Sequence, residues 1–118
     1  TFGGDALGLA AAKAVMGIYQ REDVIGTLWA QGRRLHDGIA ALADSVGVPV
    51  SVAGLPPVGQ LQLPPEARVA FEGECLQRGV ILYTVLYPNF SHTDNDVDAA
   101  LAVMGEALVA VKNQGLLG

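Results

Sequence analysis

Cysteine is almost missing from this 118-residue chain: Cys75 stands alone, which excludes an internal disulfide framework. Histidine is nearly as scarce, and the two present, His36 and His92, lie far apart without the i, i+4 companion or cysteine cluster that a metal site needs. No metal centre is expected. Basic residues number 7 against 12 acidic ones, and the formal net charge of -5 leaves no cationic footprint for phosphate backbones or anionic lipid. Nucleic acid and membrane surfaces are thereby excluded as partners. Charged or amide side chains interrupt every apolar stretch, so none approaches the ~20 residues that span a bilayer. The amino terminus also lacks a basic end followed by an apolar stretch and a cleavage site. Together with the lone cysteine, this makes a cytoplasmic location the expectation.

What is present is ample apolar matter: 51% hydrophobic residues, 16% charged, and a mean hydropathy of +0.37. This is the composition of one globular domain. At this mass the surface-scaling rule gives roughly 6,100 Å² folded against about 17,700 Å² unfolded, enough burial for a core. The chain opens on Thr1-Phe2-Gly3-Gly4 with no Met and reads as part of something longer, although a mature protein exposed by processing can also begin this way.

Residues 5 to 20, rich in Ala, Leu, Val and Met, form a helix with Asp5 as N-cap and small residues that let a neighbouring backbone approach. It is apolar nearly all round and is expected to be buried. After Gln20-Arg21-Glu22-Asp23, the residues Leu28, Leu35, Ile39, Leu42 and Val46 recur at helical spacing, Arg33 and Asp37 are placed to pair on the opposite face, and Gly47 ends the helix. From Val48 to Leu63 the period falls to two, with Val50, Val52, Val58, Leu61 and Leu63 in two short strands around a proline-containing loop. Pro64-Pro65-Glu66 opens a third helix with Ala67, Phe71, Cys75 and Leu76 on its apolar face and Gly79 at its end. Val80 to Leu86 reads as a strand. Thr93 and Asp96 form a capping box with a shortened acidic partner, and Val97, Leu101, Met104, Leu108 and Val111 make the buried stripe of the last helix. The order α-α-β-β-α-β-α implies an α+β unit, a three-stranded, mainly antiparallel sheet covered by helices and preceded by a helical hairpin. The first helix then carries more apolar surface than the unit can use.

Chemistry-bearing clusters are few. His36 reads as a solvated position beside Asp37, His92 as a structural hydrogen-bonding residue before a helix, and Cys75 as a packed core side chain. Asp94, Asp96 and Asp98 alternate, but without a Gly at loop position six and a Glu at twelve they are helix-start charges and not a calcium loop. The glycine-rich opening before a helix can present N–H groups and the Thr1 hydroxyl to a phosphate, and equally serves as an ordinary turn.

Read together, the segments resemble class III pyridoxal-phosphate aminotransferases. TFGGDALGLAAAKAV resembles the block after the active-site lysine segment, and LWAQGRRLHDGIAAL the long helix of those enzymes. GECLQRGVILY resembles their small-domain helix-to-strand passage, and FSHTDNDVDAALAVMGEAL the ending in which a Ser/Ala-His-Thr step precedes an acidic helix start. The order of the four blocks holds across nearly all of the chain, and Asp5, RGVILY and SHTDND look most like the glutamate-1-semialdehyde 2,1-aminomutase group.

The resemblance implies the C-terminal part of a fold-type-I enzyme: residues 1–47 as a helix packing on the large domain plus the connecting helix, residues 48–118 as the small α+β domain. It implies a homodimer acting on a small-molecule amino donor and acceptor, with Thr1 contacting the phosphate of pyridoxal phosphate bound by the other subunit. The lysine forming the Schiff base then lies outside the chain, no catalytic residue falls within it, and Lys13 reads as a surface cation inside a helix. Two departures stand out: Asp5-Ala6 replaces the commoner Asn-Pro, and Tyr83 to Asn89 lacks the carboxylate found there in the aminomutases. The competing reading is a stand-alone α+β interaction module with no cofactor.

Overall fold

The computed structural model describes residues 3–117. Helix α1 (Ala6–Arg21) starts where the Asp5 carboxylate accepts the Gly8 N–H at 2.8 Å. Helix α2 (Val24–Val46) follows after two residues, capped in the same way by Asp23, which accepts the Gly26 N–H at 3.0 Å. It stops at Gly47, whose φ of +70° is one that L side chains rarely adopt. Strands β1 (Ser51–Leu55) and β2 (Val58–Gln62) form an antiparallel hairpin closed by Pro56-Pro57, with Val52 opposite Leu61 and Leu55 opposite Val58. Pro65 takes the first position of α3 (Pro65–Gln77), where its missing N–H costs nothing, and Gly79 at φ +88° turns the chain afterwards. Strand β3 (Val85–Leu86) completes the sheet in the order β1-β2-β3, antiparallel throughout, and α4 (Asp94–Asn113) carries the expected Thr93–Asp96 capping box.

The element order is as the sequence implies, but the third strand is shorter than the Val80 to Leu86 reading. With Gly59 opposite Leu86 and Gln60 opposite Val85, continuing the ladder would set Pro64 opposite Ile81 and Pro65 opposite Val80. Neither proline has an N–H to donate, and both are committed to the start of α3. Residues 80–83 therefore leave the ladder, with Val80 and Leu82 packed on the core while Ile81 is 85% exposed.

The core lies between one face of the sheet and helices α2, α3 and α4. Ile39 and Ala43 of α2 meet Val50, Leu61, Phe71, Cys75, Leu86, Met104, Leu108 and Val111 there, with Phe71 only 2% exposed. Two expected core positions are not in it: Leu76 and Val58 are both exposed, because α3 and β2 turn those positions outward. Ion pairs lace the rim. Arg78, the C-cap of α3, reaches back to Glu74 on that helix and across to Glu106 on α4, and the Gln114 amide donates to Glu74 at 2.9 Å.

Helix α1 is the exception to compactness. Among the described elements it touches α2 alone, and it has no buried residue, Leu7 being 79% exposed. The radius of gyration is 16.9 Å and the surface 7227 Å². A compact chain of this length would have a radius of about 13.5 Å and a surface of about 6,100 Å². The apolar surplus read from the sequence is thus real, and nothing among the described residues buries it.

Candidate functional site

Two regions carry the features that a site would use, the start of α1 and a groove at the foot of α4. Thr1, the expected phosphate contact, lies outside the described residues. Gly3 and Gly4 lead into α1, and a Cβ at either would meet nothing within 4 Å, so the approach to the helix start is open. Asp5 directs its carboxylate to the Gly8 N–H, leaving the positive end of the helix dipole as the feature that suits an anion. Lys13 is exposed on α1, and Lys112 donates to the Val46 carbonyl at the end of α2. Neither lysine lines a pocket among the described residues.

The groove, with a volume of about 350 Å³, is walled by Leu82, Tyr83 and Tyr87 on one side and by Leu35, Val97 and Met104 on the other, with His92 and Asp96 at its polar end. Its loop is held from three directions. Gln31 of α2, only 5% exposed, donates its side-chain N–H to the His92 carbonyl. Asn89 faces both ring nitrogens of His92, its backbone N–H donating to Nδ1 at 3.3 Å and its amide lying 3.0 Å from Nε2. Thr93 donates its N–H to Asp96 at 2.7 Å, and this bond holds the Asp96 carboxyl below the usual carboxylate range.

Beside it, Arg34 grips Asp98 with two bonds of 2.6 and 2.8 Å and reaches Asp94 at 3.3 Å. These contacts raise the Arg34 pKa and lower that of Asp98. The expected Arg33–Asp37 pair does not form among the described residues; the charge pairing on this helix is made by the next residue, Arg34, across to α4. The walls of the groove can exclude water and hold an apolar group, and no lysine lines it. Among the described residues, no cluster of three His, Cys, Asp or Glu could hold a metal ion.

His36 also departs from expectation. It is half-buried against the hairpin, where a Cβ at position 59 would overlap its Nε2. Burial lowers its pKa, with Asp37 opposing. Burial likewise pushes the Cys75 thiol up to about 11, so the packed-core reading of that residue holds. Gln31, which sequence reasoning passed over, had a signal: it falls three residues after Leu28 and four before Leu35, a polar side chain on the buried stripe. Arg34 had none, because its partners lie sixty and sixty-four positions away.

The fold belongs to the pyridoxal-phosphate transaminases. The chain superposes with a TM-score of 0.85 on the internal aldimine form of the FumI protein of Sphingopyxis sp. MTA144, covering 96% of this chain and 29% of that one at 24% identity. An omega-transaminase from Sphaerobacter thermophilus gives a TM-score of 0.64 at 17% identity over 72% of this chain and 24% of that one. No family model matches the sequence. Among curated relatives, the acetylornithine aminotransferase of Bifidobacterium longum is 33% identical over 110 residues, 88% of this chain and 25% of that protein. The glutamate-1-semialdehyde 2,1-aminomutase of Desulfitobacterium hafniense is 25% identical over 119 residues, 86% of this chain and 28% of that protein. Its homologues are thus class III aminotransferases, a pyridoxal-phosphate family, and the chain corresponds to a C-terminal portion of them. It spans about a quarter of the length of the curated relatives it matches. No helix among the described residues is long and apolar enough to cross a membrane.

Proposed function

We propose that this chain is the small-domain portion of a pyridoxal-phosphate enzyme that moves an amino group on a small molecule, as an aminotransferase or aminomutase. The observation that carries this reading is the 33% identity to an acetylornithine aminotransferase over 88% of the chain. The uncovered apolar helix α1 supports it, since residues 1–47 then provide a helix that packs on a large domain and residues 48–118 the small domain. Bound pyridoxal phosphate supplies an electron sink for carbanion chemistry at the amine-bearing carbon. Toward it this chain contributes Thr1, whose hydroxyl donates to the phosphate held by the second subunit of a cytoplasmic homodimer. The open, dipole-positive start of α1 suits that dianion, while Asp5 is turned away to its cap. The lysine that carries the cofactor is in a segment preceding Thr1, because Lys13 and Lys112 sit on helix surfaces without an activating environment.

The isolated chain is therefore inactive. Incubation with the cofactor followed by borohydride should leave Lys13 and Lys112 labelled no more than in a denatured control. Stoichiometric reduction onto Lys13 would overturn the assignment. In the complete polypeptide, Thr1→Val should weaken cofactor affinity with the fold intact, and an unchanged affinity removes Thr1 from the site.

A further inference from the structure

We infer that His36 is a proton-sensitive latch between α2 and the β1–β2 hairpin: neutral, its ring lies on Gly59 and holds the hairpin down; protonated, it releases it. The geometry is that of two close approaches on one face of α2. Gly32 faces the Pro56 carbonyl so tightly that a Cβ would overlap it, and one turn later the His36 ring fills the space over Gly59, 2.7 Å from which, at the Cβ position, stands Val52 Cγ1. The Nε2 atom is buried and has no hydrogen-bond partner among the described residues. A neutral imidazole can bear this by leaving Nε2 unprotonated, whereas an imidazolium would bury an N–H bond and a positive charge with nothing to receive them.

The surroundings offer no rescue. The three strands, of sequence SVAGL, VGQLQ and VL, carry no ionisable side chain. On α4, Asp94 and Asp98 are taken by Arg34 and Glu106 by Arg78. On α2 itself Asp37 favours the charged form, but burial outweighs it and the His36 pKa falls below its ordinary value. Because folding depresses this pKa, the latch contributes its full stability above the unfolded value of about 6.5 and loses it as the pH falls through the lower folded value. Each unit of depression corresponds to about a tenfold rise in the hairpin's opening constant on protonation.

The inference is independent of the proposed catalytic role and is tested without an activity assay. In the complete polypeptide, exchange at the His36 ring C2 position gives its titration by mass spectrometry. Amide exchange in peptides covering 50–63, corrected for intrinsic pH dependence, gives hairpin opening from about pH 7.5 to about pH 5. The expected result is a His36 midpoint below the ordinary histidine range. Hairpin exchange should rise with that same midpoint, about tenfold per unit of depression. His36→Gln, neutral throughout, should abolish the pH-dependent part. Flat hairpin protection while His36 titrates, a rise with a different midpoint, or an undiminished rise in His36→Gln would each overturn the latch. The wild-type midpoints decide the matter even if the variant fails to fold.

Discussion

Two glycine-to-alanine substitutions, chemically identical and both in helix interiors, should move stability in opposite directions. In a helix interior alanine is favoured over glycine by about 0.8 to 1.0 kcal/mol, so propensity alone predicts a gain at both sites. At Gly73 of α3 the new Cβ meets nothing within 4 Å, and the gain should appear. At Gly32 of α2 the Cβ overlaps the carbonyl carbon and oxygen of Pro56. Those atoms are backbone in a two-residue turn between paired strands, so no rotamer change relieves the overlap and the hairpin must shift bodily. Overpacking of this kind costs typically about 1 to 3 kcal/mol, and a contact on rigid backbone belongs at the upper end of that range, so the propensity gain is outweighed by up to about 2 kcal/mol. For 118 residues the unfolding entropy is about 0.25 kcal/mol per kelvin. Thermal unfolding followed by circular dichroism should then show Gly73→Ala melting about 3 to 4 °C higher and Gly32→Ala up to about 8 °C lower than the parent. Equal stabilisation by both would refute the reasoning, since it would mean that the hairpin turn does not rest on α2.

Phe71→Ala, which empties a site only 2% exposed in the middle of the core, should cost about 3 to 5 kcal/mol in denaturant titration, and an unchanged midpoint would place that ring at the surface. Cys75, buried and with its thiol pushed up to about 11, should resist iodoacetamide at about pH 8 until the chain unfolds, and rapid alkylation of the folded chain would contradict its packing. Glu74, Asp96 and Asp98 all have pKa values lowered by their hydrogen bonds to Arg78, Thr93 and Arg34 respectively. Their contribution is present above the unfolded carboxylate range of about pH 4 and is lost as the pH falls through the lower folded values. Acid titration of stability in Asp98→Asn should be flatter there than in the parent, and an unaltered profile would remove the Arg34–Asp98 pair from the account.

Which of these features the sequence makes legible follows from the range over which each is determined. The caps at Asp5, Asp23 and Thr93 and the stops at Gly47 and Gly79 depend on residues within one turn of each other, and those at Asp5, Thr93, Gly47 and Gly79 stand where the sequence puts them. The stripe of α4 is legible for the same reason, because helical spacing already states which residues share a face. The truncated third strand is encoded too, but only jointly. Pro64 and Pro65 forbid the ladder opposite residues 80 and 81, and that becomes visible once the register joining Gly59 to Leu86 is known.

The side chains that shape the groove belong to a different class, since Gln31 and Arg34 act on partners about sixty positions away, and no local rule pairs them. His36 was read as solvated because helical periodicity assigns faces without saying how near a hairpin comes; Gly59 is what lets it come near. The missing Cβ on β2 and the buried ring on α2 are two halves of one contact, and only folding makes either of them meaningful. The same logic governs α1. Its residues specify a helix with apolar surface on almost every side, which calls for a covering surface that the described residues do not present. On the function proposed above, α1 is written for neighbours supplied by the rest of the enzyme, whereas the core of α2, α3, α4 and the sheet buries itself.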